Sequence, residues 1–375
     1  MRVYQTRGAR LLVALSVASM AAVLASSAGA VAPDPNPWLQ MRFLNMAHQG
    51  GEDEAPSNTL FAFKSAIRER GADSLELDVN LSSDGHLMVI HDDTWTRTAC
   101  TAALCPGPDS STEKQREDSE VNNLTKGELQ ALDAGYWFRP GTYAHDYSQP
   151  DSAYLYRGIR TGAVPPPPGY NAKDFRIPTL REVLDAFPNT PINIEIKMIK
   201  TTTGLAGGCQ SQGLALYCDD PIGSIPVAHA LADLLDRPQY AGRIDIIVAS
   251  FSDLLISEFH SRDDPPHVAL APGPVGIASY IATGLPPIPD VAAFQVPPKQ
   301  AGLDLPTLLL SSPRQAHADG YAVHIWPNGE EPESEASYAR LIALGIDGYI
   351  SSEPSRLDAY LCANGIPRPD GSPRC

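Results

Sequence analysis

The sequence predicts an α/β fold, a TIM-type (β/α)8 barrel with an irregular insertion after an early hairpin. About nine strand-like runs lie within residues 42–360, and helical segments separate most of them. The chain has 375 residues, 43% of them hydrophobic, which is enough for one large core. A doubly wound open sheet is the alternative, but no glycine-rich phosphate loop opens a helix. We therefore expect one barrel domain, in which the surplus strand is an arm of the hairpin.

The first 30 residues have the pattern of a signal peptide. Three arginines give a positive start, Leu11–Ala25 is an apolar run, and Ala28-Gly29-Ala30 fits a cleavage site. The apolar run is short for a membrane span, so an uncleaved anchor is the less favoured alternative. We predict a secreted, extracellular protein in which residues 31–41 form a proline-rich linker.

The barrel begins with a strand over Arg42–Ala47, which stops at His48-Gln49-Gly50-Gly51. A helix is predicted over Thr59–Arg70, where apolar residues recur at helical spacing.

A tight hairpin follows, because alternating apolar runs flank Asp84-Gly85. With these two residues at the centre of the turn, Val79 lies opposite Ile90 and Asp78 lies opposite His91. A longer loop would slip this register by one residue.

Residues 99–176 form a long irregular insertion, rich in Pro, Gly, Ser and Tyr. Its one clear helix spans Leu124–Asp133, where Thr125 and Glu128 fit a capping box. Irregular stretches of this length inside a domain are usually functional, so we predict a lid.

The strand–helix alternation then resumes, and a C-terminal tail follows over residues 361–375. Helices are predicted over residues 179–187, 225–235 and 334–344, and strands over residues 192–197, 244–251, 267–271, 291–296, 321–326 and 349–351.

The formal net charge of −16 argues against nucleic acid and anionic membrane surfaces as partners. An acidic protein that handles an anionic substrate needs a local positive centre, and a bound divalent cation can supply it. The six cysteines fall into close sequence pairs, which suggests three local disulfides, with zinc binding as the less favoured alternative. These pairs are Cys100/Cys105, Cys209/Cys218 and Cys362/Cys375.

Polar residues gather at the carboxyl ends of the predicted strands, where barrel enzymes keep their sites. Three buried carboxylates cannot all stay ionised without a cation, and an oxygen-only set suits Mg²⁺ or Ca²⁺. Two imidazoles could act as general acid and base, and a lysine could hold a phosphate oxygen. The carboxylates are Glu76, Asp78 and Glu195, the imidazoles are His48 and His91, and the lysine is Lys197.

Over roughly residues 43–355 the chain resembles the glycerophosphodiester phosphodiesterases. The resemblance lies in Ala-His48-Gln-Gly-Gly, Ala-Pro56-Ser-Asn58-Thr59, Glu76-Leu-Asp78-Val, His91-Asp92 with Arg97-Thr98, Glu195-Ile-Lys197, Ser250-Phe251, Trp326-Pro-Asn328 and Gly345-Ile-Asp347-Gly.

The resemblance implies a TIM-type barrel that cleaves glycerophosphodiesters to glycerol 3-phosphate and an alcohol. We expect a metal-dependent phosphodiesterase that acts on glycerophosphodiesters or related lysophospholipid head groups. It also implies attack on phosphorus by the neighbouring glycerol hydroxyl, through a cyclic phosphate that water opens. By position, Glu76, Asp78 and Glu195 match metal ligands, His48 and His91 match the acid/base pair, and Lys197 matches a phosphate contact.

The chain departs from the family pattern at two positions. Gln49 stands where the family usually has Arg, and Ser57 stands where it usually has Glu. The first change removes a bidentate phosphate contact, and the second removes a carboxylate near the metal. We include Gln49 as a substrate contact, together with Trp326, for which core packing is an equal alternative.

Two other functions stay open. One is a barrel phospholipase of the phospholipase D toxin or phosphatidylinositol-specific phospholipase C type, and the other is a non-catalytic phosphodiester-binding protein. A membrane-bound substrate calls for an exposed apolar or basic rim, and the net charge and polar insertion predict little of either. We expect a small-molecule substrate and no stable membrane insertion, with the oligomeric state left open.

Overall fold

The computed structural model describes residues 36–100, 118–141, 149–204, 208–212, 215–263, 268–285 and 288–375. Eight parallel strands form a nearly closed barrel, so the predicted (β/α)8 architecture is confirmed. In chain order they are β1 Leu44–Ala47, β2 Ser74–Leu81, β3 Ile192–Ile196, β4 Ile246–Ala249, β5 Ala269–Ala271, β6 Ala293–Val296, β7 Ala322–Ile325 and β8 Gly348–Ser351.

Hydrogen bonding runs round the barrel in chain order, and β8 pairs with β1. Between β5 and β6 the connection is a single parallel bridge from Leu270 to Val291, just before β6 begins. The Leu270 N–H donates to the Asp290 carbonyl at 3.0 Å, and the Ala292 N–H donates to the Leu270 carbonyl at 2.9 Å. This bridge brings the barrel close to closure.

A helix follows each barrel strand. The helices are α1 Leu60–Glu69, α2 Leu180–Ala186, α3 Ile225–Leu235, α4 Asp253–Arg262, α5 Pro274–Thr283, α6 Leu305–Leu310, α7 Glu335–Leu344 and α8 Pro354–Ala363. The sequence patterns predict α1, α2, α3 and α7, whereas α4, α5, α6 and α8 are found only in the structure. Apolar residues between the strands and this outer layer form the two largest buried clusters.

Small and aliphatic side chains fill the inside of the barrel, including four alanines on β4 to β6. Trp38 is fully buried among them, on a short helix over Pro37–Gln40. The Asn36 side-chain amide donates to the carbonyls of Ala292 and Gly320, at 2.7 and 2.8 Å. This segment therefore closes the barrel at the end opposite the strand carboxyl termini.

The hairpin has a different register from the predicted one. The arm Leu87–Val89 pairs with β2 so that Val79 lies opposite Val89, rather than opposite Ile90. The turn is longer than predicted, because the Ser82 N–H donates to the His86 carbonyl at 2.9 Å and the Ser82 hydroxyl accepts from the His86 N–H. His91 therefore follows the paired arm instead of lying opposite Asp78.

The insertion contains the predicted capped helix, which spans Lys126–Ala131 with Thr125 and Glu128 in a capping box. Three short 3-10 turns lie over Val121–Asn123, Asp151–Ala153 and Ala172–Phe175. A second excursion follows β3 and was not predicted, because its sequence is polar and glycine-rich. It forms a three-stranded sheet of Ile199–Thr201, Gln210–Gln212 and Ala215–Asp220.

Two of the predicted cysteine pairs meet in the structure. Cys209 bonds Cys218, and Cys362 bonds Cys375. Cys100 is also disulfide-bonded, and Cys105 lies outside the described residues, as do residues 1–30 of the predicted signal peptide. Among the described residues, no helix is both long and apolar enough to cross a bilayer.

The C-terminal tail folds back under the barrel and is held by a buried arginine. The Arg374 side chain is 0% exposed, and its Nη2 lies 2.5 Å from the Asp73 carboxylate. Its Nη1 lies 2.9 Å from the Asp358 carboxylate. Because the Asp73 side chain is only 5% exposed, its charge balance depends on this guanidinium and on Arg368, whose Nη1 lies 3.2 Å from Asp73 Oδ1.

Replacing Arg374 with Met should lower the free energy of unfolding by about 1–3 kcal/mol, because it leaves the buried Asp73 carboxylate with Arg368, 3.2 Å away, as its remaining ion-pair partner. Urea denaturation with the disulfides intact measures the loss. Arg262→Met is the matched control, since Arg262 pairs with Asp233 at the surface and should contribute less than about 1 kcal/mol. Equal losses in the two variants would contradict a structural role for the tail.

Candidate metal centre and active site

Three carboxylates meet at the carboxyl end of β2 and β3. Ligand oxygens of Glu76, Asp78 and Glu195 all lie within 4.8 Å of one another. The strand register explains this meeting, because Asp78 pairs directly with Glu195 across parallel strands and Glu76 lies two residues before Asp78 on the same face. Glu76 and Asp78 are buried, and Glu195 is half-buried.

Charged groups this close together shift the pKa values of the carboxyl groups in the cluster. Burial and the charge of Asp78 raise the pKa of Glu76 well above its usual value. Burial also acts to raise the pKa of Asp78, but His91 and Lys197 outweigh it and lower that pKa. The Glu76 carboxylate is oriented by the Gln49 N–H, which donates to Oε2 at 2.8 Å.

The cluster fits a hard divalent cation. All three side chains offer oxygen, the ligand type that Mg²⁺ and Ca²⁺ prefer. Asp78 Oδ1 accepts no hydrogen bond from the described residues, while Oδ2 accepts from the Asn58 amide at 2.8 Å. One oxygen of this buried carboxylate is thus oriented by a hydrogen bond, and the other lies 3.5 Å from the Lys197 ammonium, where it could also bind a cation.

His48 sits on the turn that follows β1, a 3-10 turn over His48–Gly50. A Cβ at Gly50 would lie 2.6 Å from the Ala62 Cβ, so α1 packs closely enough to require glycine there. The imidazole Nδ1 lies 2.5 Å from Glu52 Oε1, and Nε2 lies 3.9 Å from Glu76 Oε2. Burial alone would lower the pKa of His48, but these carboxylates raise it to about 10.

Glu52 is a functional candidate that the sequence analysis missed. Its Oε1 also accepts from the Ser352 hydroxyl at 2.8 Å, so the loop after β8 fixes the carboxylate against His48. A glutamate four residues after the histidine, past two glycines, is the only sequence signal of this contact.

His91 is backed by Asp92, which the sequence does not distinguish from a turn residue. His91 Nδ1 lies 2.6 Å from Asp92 Oδ1, and Arg97 Nε donates to Asp92 Oδ2 at 2.5 Å. Burial acts to raise the pKa of Asp92, but Arg97 and His91 hold it far below its usual value. Each imidazole therefore has a carboxylate behind it.

Lys197 links the second imidazole to the carboxylate cluster. Its ammonium lies 2.8 Å from Glu195 Oε1, 3.5 Å from Asp78 Oδ1 and 3.0 Å from His91 Nε2. An ammonium only donates, so His91 Nε2 accepts and Nδ1 carries the proton towards Asp92. Burial acts to lower the pKa of Lys197, and the neighbouring carboxylates raise it instead.

The remaining sequence candidates lie around this centre. The Gln49 side chain is fully buried, without a hydrogen-bond partner among the described residues, and it does not line the cleft above the cluster. Ser57 is buried, and its hydroxyl also has no partner in the described part of the chain. Trp326 lines the cleft and contacts Phe251, with ring centroids 5.6 Å apart.

The cleft has a volume of about 900 Å³ and contains both imidazoles. Its charged end holds His48, His91, Lys197 and two of the three carboxylates, and the other side is apolar. The described part of the insertion does not line this cleft, so the role of the insertion as a lid stays a prediction.

A (β/α)8 barrel with carboxylates and carboxylate-backed imidazoles at the strand carboxyl ends is the arrangement of a barrel enzyme. Residues 48–356 match the model of the glycerophosphoryl diester phosphodiesterase family. The chain belongs to this family.

A glycerophosphodiester phosphodiesterase of Caldanaerobacter subterraneus is 41% identical over 98 residues, which is 26% of this chain and 33% of that protein. The chain spans about a third of the length of the first curated relatives it matches.

Two solved structures share the fold. A putative glycerophosphoryl diester phosphodiesterase from Silicibacter pomeroyi has a TM-score of 0.57 at 18% identity, covering 87% of this chain and 95% of that one. A phosphodiesterase from Oleispira antarctica, in complex with the product sn-glycerol 3-phosphate, has a TM-score of 0.51 at 18% identity. The match covers 84% of this chain and 95% of that one.

Adding Mg²⁺ or Ca²⁺ should raise the melting temperature, because a cation bound only by the folded state adds about 2.7 kcal/mol of stability at one hundred times its dissociation constant. Differential scanning fluorimetry reads the shift. Glu195→Gln should remove most of it, while Glu258→Gln on the outer face of α4 should retain it. An identical shift in both variants would mean that the cation binds elsewhere.

Proposed function

We propose that the protein is a metal-dependent phosphodiesterase that hydrolyses glycerophosphodiesters to glycerol 3-phosphate and an alcohol. The observation that carries this proposal is the convergence of three carboxylates with two imidazoles, each backed by its own carboxylate. Family membership and the product-bound neighbour from Oleispira antarctica support it.

Glu76, Asp78 and Glu195 would hold the cation, which supplies positive charge to the phosphate and polarises its P–O bonds. Lys197 is close enough to the cluster to bind a non-bridging phosphate oxygen as a second positive charge. When Lys197 binds the phosphate, its hydrogen bond to His91 Nε2 would break, and this nitrogen would then be free to accept a proton.

The two imidazoles face different surroundings, which suggests different roles. His91 carries its proton on Nδ1 towards Asp92, so Nε2 can act as general base towards the hydroxyl that attacks phosphorus. His48 lies between Glu52 and Glu76, and this arrangement suits the imidazolium form that protonates the leaving alcohol. Glu52 and Asp92 are positioning residues in this scheme.

Export is part of the proposal. Its support is the leader pattern of residues 1–30 and the local cysteine pairs, since disulfides persist mainly in oxidising compartments.

Purified protein should release glycerol 3-phosphate from glycerophosphocholine, and EDTA should abolish the release until Mg²⁺ or Ca²⁺ is restored. His48→Ala and His91→Ala should each lower kcat by about 10²- to 10⁴-fold, because each removes a proton-transfer group. A coupled glycerol 3-phosphate assay measures this loss. His229→Ala is the control, since His229 pairs with Glu258 on the outer helices.

Release that survives EDTA and both active-site substitutions would contradict the proposed mechanism. Phosphocholine as the product would favour the phospholipase C type of reaction. Binding of the diester without cleavage would favour the phosphodiester-binding protein.

A further inference from the structure

One side of the cleft carries four carboxylates in addition to the carboxylate cluster of β2 and β3. They belong to the loops after β1, β7 and β8, and these loops come together because the three strands are neighbours in the barrel. His48 follows β1 on the same side. We call this set the acidic side of the cleft, and it consists of Glu52, Asp53, Glu333 and Glu353.

Negative charge exceeds positive charge on the acidic side. Burial and the charges of the other three carboxylates raise the pKa of Asp53 to about 7, although His48 acts to lower it. Arg356 lies 2.8 Å from Glu353, at a partly exposed position where one ion pair offsets little of this charge. A further positive group in the cleft would therefore relieve the repulsion among these carboxylates.

Glu52 presents a buried oxygen that the protein does not satisfy. Its side chain lines the cleft, and the residue is only 6% exposed. Oε1 is held by His48 and Ser352, whereas Oε2 accepts no hydrogen bond from the described residues. Asp53 Oδ1 is likewise buried and without a partner in the described part of the chain. Carboxylate oxygens in this situation are costly unless a ligand supplies a donor or a positive charge.

The acidic side fits an organic cation better than a second metal ion. A small divalent ion needs several oxygens that converge on one point, and among the described residues only the cluster of Glu76, Asp78 and Glu195 brings three such groups together. A substituted ammonium group is larger, so it can be stabilised by carboxylates spread around it and by the face of an aromatic ring. Trp326 supplies such a ring, because it lines the cleft on the same loop as Glu333.

We propose that the acidic side of the cleft selects phosphodiesters whose leaving alcohol carries a positively charged nitrogen. The inference rests on the proposed phosphodiesterase function, in which His48 protonates the leaving alcohol and so places that alcohol beside Glu52 and Asp53. The carboxylate cluster and the imidazoles act on the phosphate, which is the same in every diester, whereas the acidic side contacts the part that varies. Overall, water supplies a hydroxyl to phosphorus, the P–O bond to the alcohol breaks, and the alcohol leaves with the proton.

The test compares glycerophosphocholine with the 3,3-dimethylbutyl ester of glycerol 3-phosphate, in which carbon replaces the charged nitrogen and the shape is kept. The expected kcat/KM is about tenfold higher for the choline ester, because an ion pair and a cation on an aromatic face each add a modest attraction. The glycerate ester, whose alcohol is negatively charged, should be cleaved more slowly than either. A coupled glycerol 3-phosphate assay measures all three.

Asp53→Asn and Glu353→Gln should each lower the ratio of kcat/KM between the choline ester and the uncharged ester by about threefold. This ratio does not depend on the amount of folded protein, because the same catalytic groups cleave both diesters. Glu54→Gln is the matched control and should retain the full ratio. Glu54 is the neighbour of Asp53 in the same loop, but it bonds Ser355 and Arg70 and does not line the cleft.

Equal kcat/KM values for the charged and uncharged esters would overturn the proposed selection, as would a ratio that Asp53→Asn and Glu353→Gln lower no more than Glu54→Gln does. Calorimetry in the presence of Mg²⁺ separates this inference from the proposed function. If all three diesters are left intact while the choline ester still binds more tightly than the uncharged ester, the phosphodiesterase function fails and the selection for a cationic alcohol stands.

Discussion

Mutual repulsion among three carboxylates is the constraint on which the site depends. The Asp78–Glu195 pairing of β2 with β3 fixes two of them side by side, and Glu76 follows from the alternation of β2. Their oxygens lie within 4.8 Å of one another, in a pocket where an uncompensated charge is costly. Lys197 supplies only one positive charge to this group. The cluster therefore has the charge and the oxygen ligands that a divalent cation requires.

The surrounding loops position one imidazole and its hydrogen-bond partners on each side of the carboxylate cluster. The glycine turn after β1 brings His48 and Glu52 to one side, and the loop after β8 fixes Glu52 through Ser352. On the other side, the chain beyond the hairpin arm brings His91, Asp92 and Arg97 together. The two imidazoles lie in one cleft and differ in their hydrogen-bond partners. That difference gives a physical basis for separate proton-donor and proton-acceptor roles.

Strand periodicity predicted most of the barrel, because buried parallel strands are short continuous apolar runs. The surplus ninth run is the hairpin arm Leu87–Val89, as expected. The convergence of Glu76, Asp78 and Glu195 could also be predicted, since it depends only on strand alternation and order. The predicted register of the hairpin was wrong because hydrogen bonds between Ser82 and His86 lengthen the turn. Helix α5 was missed because its own sequence is apolar on nearly all sides, so it shows no clear helical period. Glu52 and Asp92 depend on side-chain contacts that no spacing rule specifies.

The most direct measurement is anomalous diffraction from crystals soaked in Mn²⁺, an anomalously scattering substitute for Mg²⁺. We expect one strong peak between the side chains of Glu76, Asp78 and Glu195, and its loss in Glu195→Gln crystals. A peak elsewhere on the protein with none in the cluster, or an unchanged peak in the variant, would contradict it.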